Sequence, residues 1–378
     1  MYLNPDAIVA PSQYVGLRLC HNRYLAQNPL VGRDKILPLG VMALLLSITN
    51  GIRVARLLQE LEKLYPKSIL VAAAVRELID AGILVQEGTT LADQEHAFER
   101  WAWDREAALH FLATRRTRWL CEDAEVQVFG ARLRDKKAPA LWVDLCEEGG
   151  SWEPIGVDLQ ARDTFRLFAR RRSLRQFGLQ GIESSALGAI LSSGLGIHGF
   201  LELPLRLTHP LRFTPSPGGL NAFDCFFLAK NIHGLEKGTY VYNSHRNQVR
   251  QCGPLPDLPH ARLFGNQTWA DEAPLICVLC ANYDKMAWKY SDPSAFNSLL
   301  IESGHIAQNM MVCAASLSIG SVPTNALDQD ELEQHFHLSF PDHAVVYAIA
   351  FGYEDPVRGR DHYSPERLAQ LKAVVGDG

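Results

Sequence analysis

"FARRRSLRQF", residues 168–177, decides how this chain is read. In an extended strand, alternate side chains share a face. Arg171, Ser173 and Arg175 would then present two guanidiniums and a hydroxyl to one side, a donor set suited to an oxyanion, with Arg172 between them. In a helix the same run is a solvated basic face. The neighbouring segments have to choose between these readings.

Downstream the pattern mixes helix and strand. "SSALGAILSSGLG" reads as a helix, "DCFFLAKNI" as a strand, and "GTYVYNSHRNQVRQC" as a hairpin turning at Asn243-Ser244. "PLICVLCAN" and "AVVYAIAFG" are apolar runs short enough for buried strands. Between them, "DPSAFNSLLIESGHIAQNMMVCAASLSIG" predicts a long helix. Asp292 is its N-cap, Pro293 takes the first position and Gly320 is the C-cap. Phe296, Leu299, Leu300, Ile306, Met310 and Met311 give that helix a broad apolar surface, so it belongs in a core or a subunit interface.

Two turns stand out. "FTPSPGGLNAFD", residues 213–224, places Pro215, Ser216, Gly218 and Gly219 before a strand, where the glycines let the backbone approach a flat ligand. "SIGSVPTNALD", residues 318–328, closes the long helix in a similar way through Gly320, Ser321, Val322, Pro323 and Asn325. "GLGIHG", residues 194–199, fits the dinucleotide pattern G-x-G-x-x-G but follows a helix instead of a strand, and is set aside. Glu302 and His305 lie one helical turn apart without evident partners for a metal, so no metal site is expected.

The chain has 378 residues, room for two domains. Its 37 Lys and Arg against 42 Asp and Glu give no basic surface for nucleic acid or an anionic membrane. No apolar run is long enough to span a bilayer, and "MYLNPDAIVAPSQ" lacks the features of a secretion signal, so a cytoplasmic protein is expected. Among eight cysteines only Cys277 and Cys280 are close. On a strand they face opposite ways, which reads as reduced core cysteines.

Residues 1–95 form a separate pattern. Short strands over 13–35 precede the helices "LPLGVMALLLSI", "RVARLLQELEKLY" and "ILVAAAVRELIDAG", with Gly82 at a C-cap and "ILVQE" as a return strand. This is a winged-helix-like outline. Arg53, Arg56, Lys63, Lys67 and Arg76 are offset by Glu60, Glu62, Glu77 and Asp80, so strand addition of a peptide suits the module better than DNA reading. Residues 96–164 read as a helical connector, and the main domain runs over 165–378.

In the order "RRSLRQF", "PSPGGL", "GLEKGTYVYN", "KY", "ESGHIAQN", "GSVP", residues 165–353 resemble the nitroreductase superfamily, in particular its SagB/McbC-type azoline dehydrogenases. The resemblance implies an α+β fold, bound FMN and a homodimer with the flavin at the subunit interface. Arg171, Arg172, Ser173 and Arg175 would hold the FMN phosphate and ring polar atoms. Pro215, Ser216, Gly218 and Gly219 would line the ring, and residues 320–325 would pass its reactive nitrogen. Arg358 or Arg360 would add a phosphate contact. The loop "GLNAFD" and the segment "SDPSAFNS" depart from the family pattern, which leaves the flavin fold but loosens substrate identity.

The N-terminal module resembles the PqqD-like peptide-recognition domain, which implies leader-peptide binding and a cyclodehydratase complex. Lys289-Tyr290 matches the adjacent Lys-Tyr pair implicated in catalysis by the McbC type. Aromatising a thiazoline or oxazoline of a ribosomally made peptide removes a hydride and a proton. FMN can take the hydride, while Lys289 or Tyr290 would take the proton, and the residues alone do not choose between them. The following "SDPS" turn lets both serve one site. The competing expectations are an NAD(P)H-dependent nitro or quinone reductase, dehydrogenation of another peptide- or carrier-bound intermediate, and a winged-helix regulator with a flavin-sensing domain.

Overall fold

The structure, a computed structural model, describes residues 3–20, 23–66, 70–101, 103–115, 119–135, 161–203 and 207–358. The chain opens with β1 (Ile8–Pro11), β2 (Gly16–Cys20), β3 (Arg23–Asn28), β4 (Arg33–Leu37), α1 (Leu39–Ser47) and β5 (Ile52–Arg53). It continues with α2 (Val54–Leu64), α3 (Val71–Asp80), β6 (Leu84–Gln86), α4 (Thr90–Arg100), α5 (Arg105–Ala113) and α6 (Glu122–Asp135). Next come α7 (Arg162–Arg170), β7 (Ile182–Glu183), α8 (Ser184–Leu195), β8 (Ile197–Leu203), β9 (Leu207–Arg212) and β10 (Phe223–Ala229). β11 (Ile232–His233), β12 (Gly238–Asn243), β13 (Gln248–Gly253), α9 (His260–Leu263), α10 (Trp269–Glu272) and β14 (Leu275–Asn282) follow. The last elements are α11 (Tyr283–Lys289), α12 (Ala295–Ser316), β15 (Gly320–Thr324), α13 (Gln329–Phe336) and β16 (His343–Gly352).

These elements form two compact units. The first gathers residues 1–116, 282–297 and 339–344, and the second holds the remainder. The sequence places a connector over 96–164, whereas α4 and α5 lie in the first unit and α6 in the second.

In the first unit, β5-β1-β6 and β2-β3-β4 are three-stranded antiparallel sheets. Val54, Leu57 and Leu61 of α2 and Val71, Val75 and Leu78 of α3 recur at helical spacing and are buried together with Val9, Ala26 and Leu84. Each such side chain stabilises the unit by roughly 1.5–3 kcal/mol. Gly82, at φ 66°, ends α3 as expected, its N–H donating to the Ile79 carbonyl at 2.9 Å. One polar cluster is buried beside this core. The Ser12 hydroxyl donates to the Glu95 carboxylate and accepts from Asn28 Nδ2.

The second unit is built on a six-stranded sheet of order β13-β12-β10-β14-β16-β15. β14 is buried along residues 275–281, as its unbroken apolar run requires. Cys277 and Cys280 are fully buried on it as free thiols, and burial pushes both well above the ordinary thiol range. The hairpin of β12 and β13 forms, with Tyr242 opposite Val249, but its turn is residues 244–247 and not Asn243-Ser244, because Asn243 still pairs with Gln248.

The rejected "GLGIHG" motif has a packing role. A Cβ on Gly194 would come within 2.6 Å of Met310 Cγ, so the glycine lets α8 lie close on α12. α12 ends differently from the sequence expectation. Ser318, at φ 60°, takes the left-handed position, with Ile319 N–H donating to the Ala314 carbonyl at 2.9 Å. Gly320 instead opens β15, where a Cβ would overlap the Leu174 side chain. Among the described residues, no helix is long and apolar enough to cross a membrane.

Candidate active site

The backbone settles the two readings of the arginine run. α7 stops at Arg170, and Arg171 is extended at φ −68° and ψ 113°. Ser173 then forms a parallel bridge with Ser321, and Leu174 N–H donates to the Ser321 carbonyl at 2.9 Å. Leu174 is 3% exposed and belongs to the core, yet it and Arg172 line the same cavity as Arg171 and Ser173, so the strict alternation read from the sequence does not hold.

The bridge joins two segments that are nearly 150 residues apart in the chain and closes a cavity of 130 Å³. Its lining includes Arg170, Arg171, Arg172, Ser173, Gly320 and Ser321. Arg170 Nη2 donates to Ser318 Oγ at 3.0 Å and ties the end of α7 to the turn after α12. Guanidiniums outnumber the one carboxylate in the lining, Glu354, so the cavity favours an anion. Its volume is below the roughly 300–1,000 Å³ of pockets that hold a whole ligand. The donor set and size fit the phosphate end of FMN, with Arg171, Arg172 and Ser173 as the holding residues.

Not every expected residue lines this cavity. Arg175 does not, nor do Val322, Pro323 and Asn325 further along β15 and past its end. Val322 is in the core, 1% exposed, so only its backbone could meet a ligand. Arg358 is engaged elsewhere. Its Nη1 and Nη2 donate to the Glu272 carboxylate at 2.7 and 2.9 Å, its Nε to Asp355 at 2.7 Å, and its Nη2 also to the Phe177 carbonyl. These carboxylates push the guanidinium's pKa further up. A phosphate contact from Arg358 requires it to leave them. Arg360 lies outside the described residues.

The loop at Pro215–Gly219 is a separate, rigid element. Gly218 and Gly219 are left-handed at φ 56° and 62°, and a Cβ on Gly219 would overlap the His209 imidazole. The Ser216 hydroxyl accepts from Asn221 N–H at 2.8 Å, and the loop's root is fixed by Thr214. The Thr214 hydroxyl, itself buried, donates to the Gly194 carbonyl at 2.7 Å and accepts from Asn309 Nδ2 at 3.0 Å. None of residues 215–219 lines the arginine cavity.

Lys289 and Tyr290 belong to the first unit. Lys289 is exposed at the last position of α11, and Tyr290 is the half-buried residue that caps it. Lys289 Nζ stands 5.7 Å from the Tyr290 ring centroid, so the two side chains do converge. Asp292 was expected to cap α12 directly. Instead its carboxylate accepts from Ser294 N–H at 2.8 Å, forming a turn before the helix begins at Ala295. Among the described residues, no group of His, Cys, Asp and Glu is placed to hold a metal.

The second unit is thus a mixed α and β domain with a basic, phosphate-sized cavity beside the start of β15. Residues 168–353 match the model of the nitroreductase family, so this stretch of the chain is a nitroreductase-like domain. The Methanocaldococcus jannaschii protein MJ1384, named as a nitroreductase, is 26% identical over 173 residues, covering 44% of this chain and 79% of that protein. An NADPH-flavin oxidoreductase of Vibrio harveyi is 28% identical over 121 residues. That match covers 30% of this chain and about half of the relative, 48%. Among solved structures, a chain of the Escherichia coli microcin synthetase McbBCD complex with truncated pro-MccB17 bound has a similar fold, with a TM-score of 0.50 and 16% identity. The likeness covers 71% of this chain and 99% of that one, more of this chain than residues 168–353 make up.

Proposed function

We propose that this protein is an FMN-dependent dehydrogenase that oxidises thiazoline or oxazoline rings to azoles in a ribosomally made peptide. The cavity joining Arg171, Arg172 and Ser173 to Gly320 and Ser321 carries the cofactor part of this reading. Bound FMN supplies the acceptor for the hydride that leaves one ring carbon with its electron pair. Lys289 or Tyr290 takes the proton from the neighbouring carbon, and the remaining electron pair completes the aromatic ring. The homodimer that the family resemblance implies would bring the glycine loop over 215–219 to the flavin ring.

A groove in the first unit supports the peptide part. It has a volume of 220 Å³ and lies between β4, the last strand of its sheet, and α3. Ile36, Leu37 and Val41 line one side, Val71, Ala74 and Leu78 the other, and Lys35 bridges to Glu77 at 3.1 Å. An extended leader peptide adding to β4 would place alternate side chains there. The fold likeness to a synthetase chain from a complex holding a precursor peptide agrees with this reading.

The relative named as an NADPH-flavin oxidoreductase favours a second reading, a reductase that draws electrons from NAD(P)H. The test is the visible spectrum of the purified protein, followed by NADPH in the absence of oxygen. A yellow protein that NADPH leaves unbleached, but an azoline peptide bleaches, supports the dehydrogenase. Rapid bleaching by NADPH moves the assignment to the reductase. A colourless protein that FMN does not reconstitute overturns both.

A further inference from the structure

We infer that Trp103 is a positioning residue for Tyr290, through a hydrogen bond to its backbone. This inference rests on the proposed role of the Lys289-Tyr290 pair. The Trp103 indole Nε1 donates to the Tyr290 carbonyl at 2.8 Å. On the other side of the residue, Tyr290 N–H donates to the Met286 carbonyl at 3.0 Å as the last bond of α11. Both backbone polar groups of Tyr290 are therefore fixed, and with them the direction in which its side chain leaves the helix end.

The indole itself is held in place. Trp103 packs edge-on to Trp101, with centroids 5.0 Å apart, and Trp101 stacks on Tyr283 at 5.1 Å and 13°. Tyr283, at the start of α11, is 1% exposed. Asp342 pins the same stack from a third segment. Its Oδ1 accepts from Trp101 Nε1 at 2.8 Å, its Oδ2 from Arg100 Nη2 at 2.6 Å, and its carbonyl from Tyr283 N–H at 2.8 Å. α11 is thus clamped at both ends by the residues just after α4. An indole N–H bonded to a carbonyl is not a packing requirement, since phenylalanine would fill most of the same space without a donor. The donor's effect here is on the angle at which the pair is presented, and misplacement of a reacting group by about 1 Å can cost 10²-fold in rate.

The experiment compares wild type, Trp103→Phe, Tyr290→Phe, the double variant of these two and Lys289→Ala, all loaded with FMN. Each is mixed without oxygen with excess synthetic thiazoline peptide, and the rate of flavin bleaching is followed. Trp103→Phe is expected to lower the bleaching rate about five- to tenfold at saturating peptide with KM unchanged. In the Tyr290→Phe background the same change is expected to cost nothing further, because its effect passes through Tyr290. A purely structural role for Trp103 would give the same fold-loss in both backgrounds, and that outcome overturns the inference. A wild-type rate in Trp103→Phe overturns it too. If Tyr290→Phe and Lys289→Ala keep the wild-type rate, or the peptide fails to bleach wild type, the reading of the pair falls and the positioning role falls with it.

Discussion

Arg171 and Arg358 were equivalent candidates as letters, and their surroundings separate them. Arg171 lines the anion cavity, while Arg358 is saturated by Glu272 and Asp355. Arg171→Ala is expected to lower FMN affinity tenfold or more, about the loss of one charge-assisted hydrogen bond at roughly 1.5–3 kcal/mol. Arg358→Ala should keep its flavin and lose at most about 1 kcal/mol of stability, because its ion pairs are half exposed. Flavin content after gel filtration and a thermal melt of each variant separate the outcomes. A colourless Arg358→Ala would return that residue to the phosphate site.

Among the elements, the loop over 215–219 shows how a candidate site segment depends on the helices packed behind it. Thr214 is the buried joint between α8, α12 and that loop. Thr214→Val keeps the shape but strands the Gly194 carbonyl and the Asn309 amide, which should cost roughly 1–3 kcal/mol in chemical denaturation. The long helix, the β12–β13 hairpin and the buried strands were legible in the sequence because period and turn chemistry are local signals. The extended backbone after Arg170 was legible for the same reason, whereas the one-sided alternation of Arg171, Ser173 and Arg175 was not met. The bridge from Ser173 to Ser321 was not legible, since nothing in either segment names its partner. Gly320 was misplaced as a cap because its need for glycine comes from Leu174, far away in sequence. Arg170 and Trp103 were missed for a related reason. One reads as an ordinary last residue of a helix and the other as a packing aromatic.

pH acts on the whole molecule, and one buried group gives its response a definite sign. Burial raises the Glu95 carboxyl, outweighing the hydrogen bonds from Ser12 and Asn28 that favour its charged form. The folded chain therefore holds that proton at pH values where the unfolded chain, titrating near about 4.3, has released it. Its contribution is most favourable below the unfolded value and is lost as pH rises through the folded one. Glu95→Gln keeps an acceptor for Ser12 without the charge. Denaturation midpoints should match wild type near pH 4, exceed it increasingly as pH rises, and level off above the folded value. A constant gap across that range would mean that Glu95 does not titrate in the folded protein.

The first unit is assembled from three separate lengths of chain, residues 1–116, 282–297 and 339–344. A gene cut after residue 116 would not release a self-sufficient folded piece. Trp101 would lose Tyr283 and Asp342, and Phe111 would lose Phe296 and Phe340, all of them encoded downstream. Swapping this front end between relatives to change peptide choice would therefore fail as a single crossover. It requires transplanting the two later segments as well, and with them the helix end that carries Lys289 and Tyr290. On the proposed function, peptide preference and the candidate proton acceptor are inherited together.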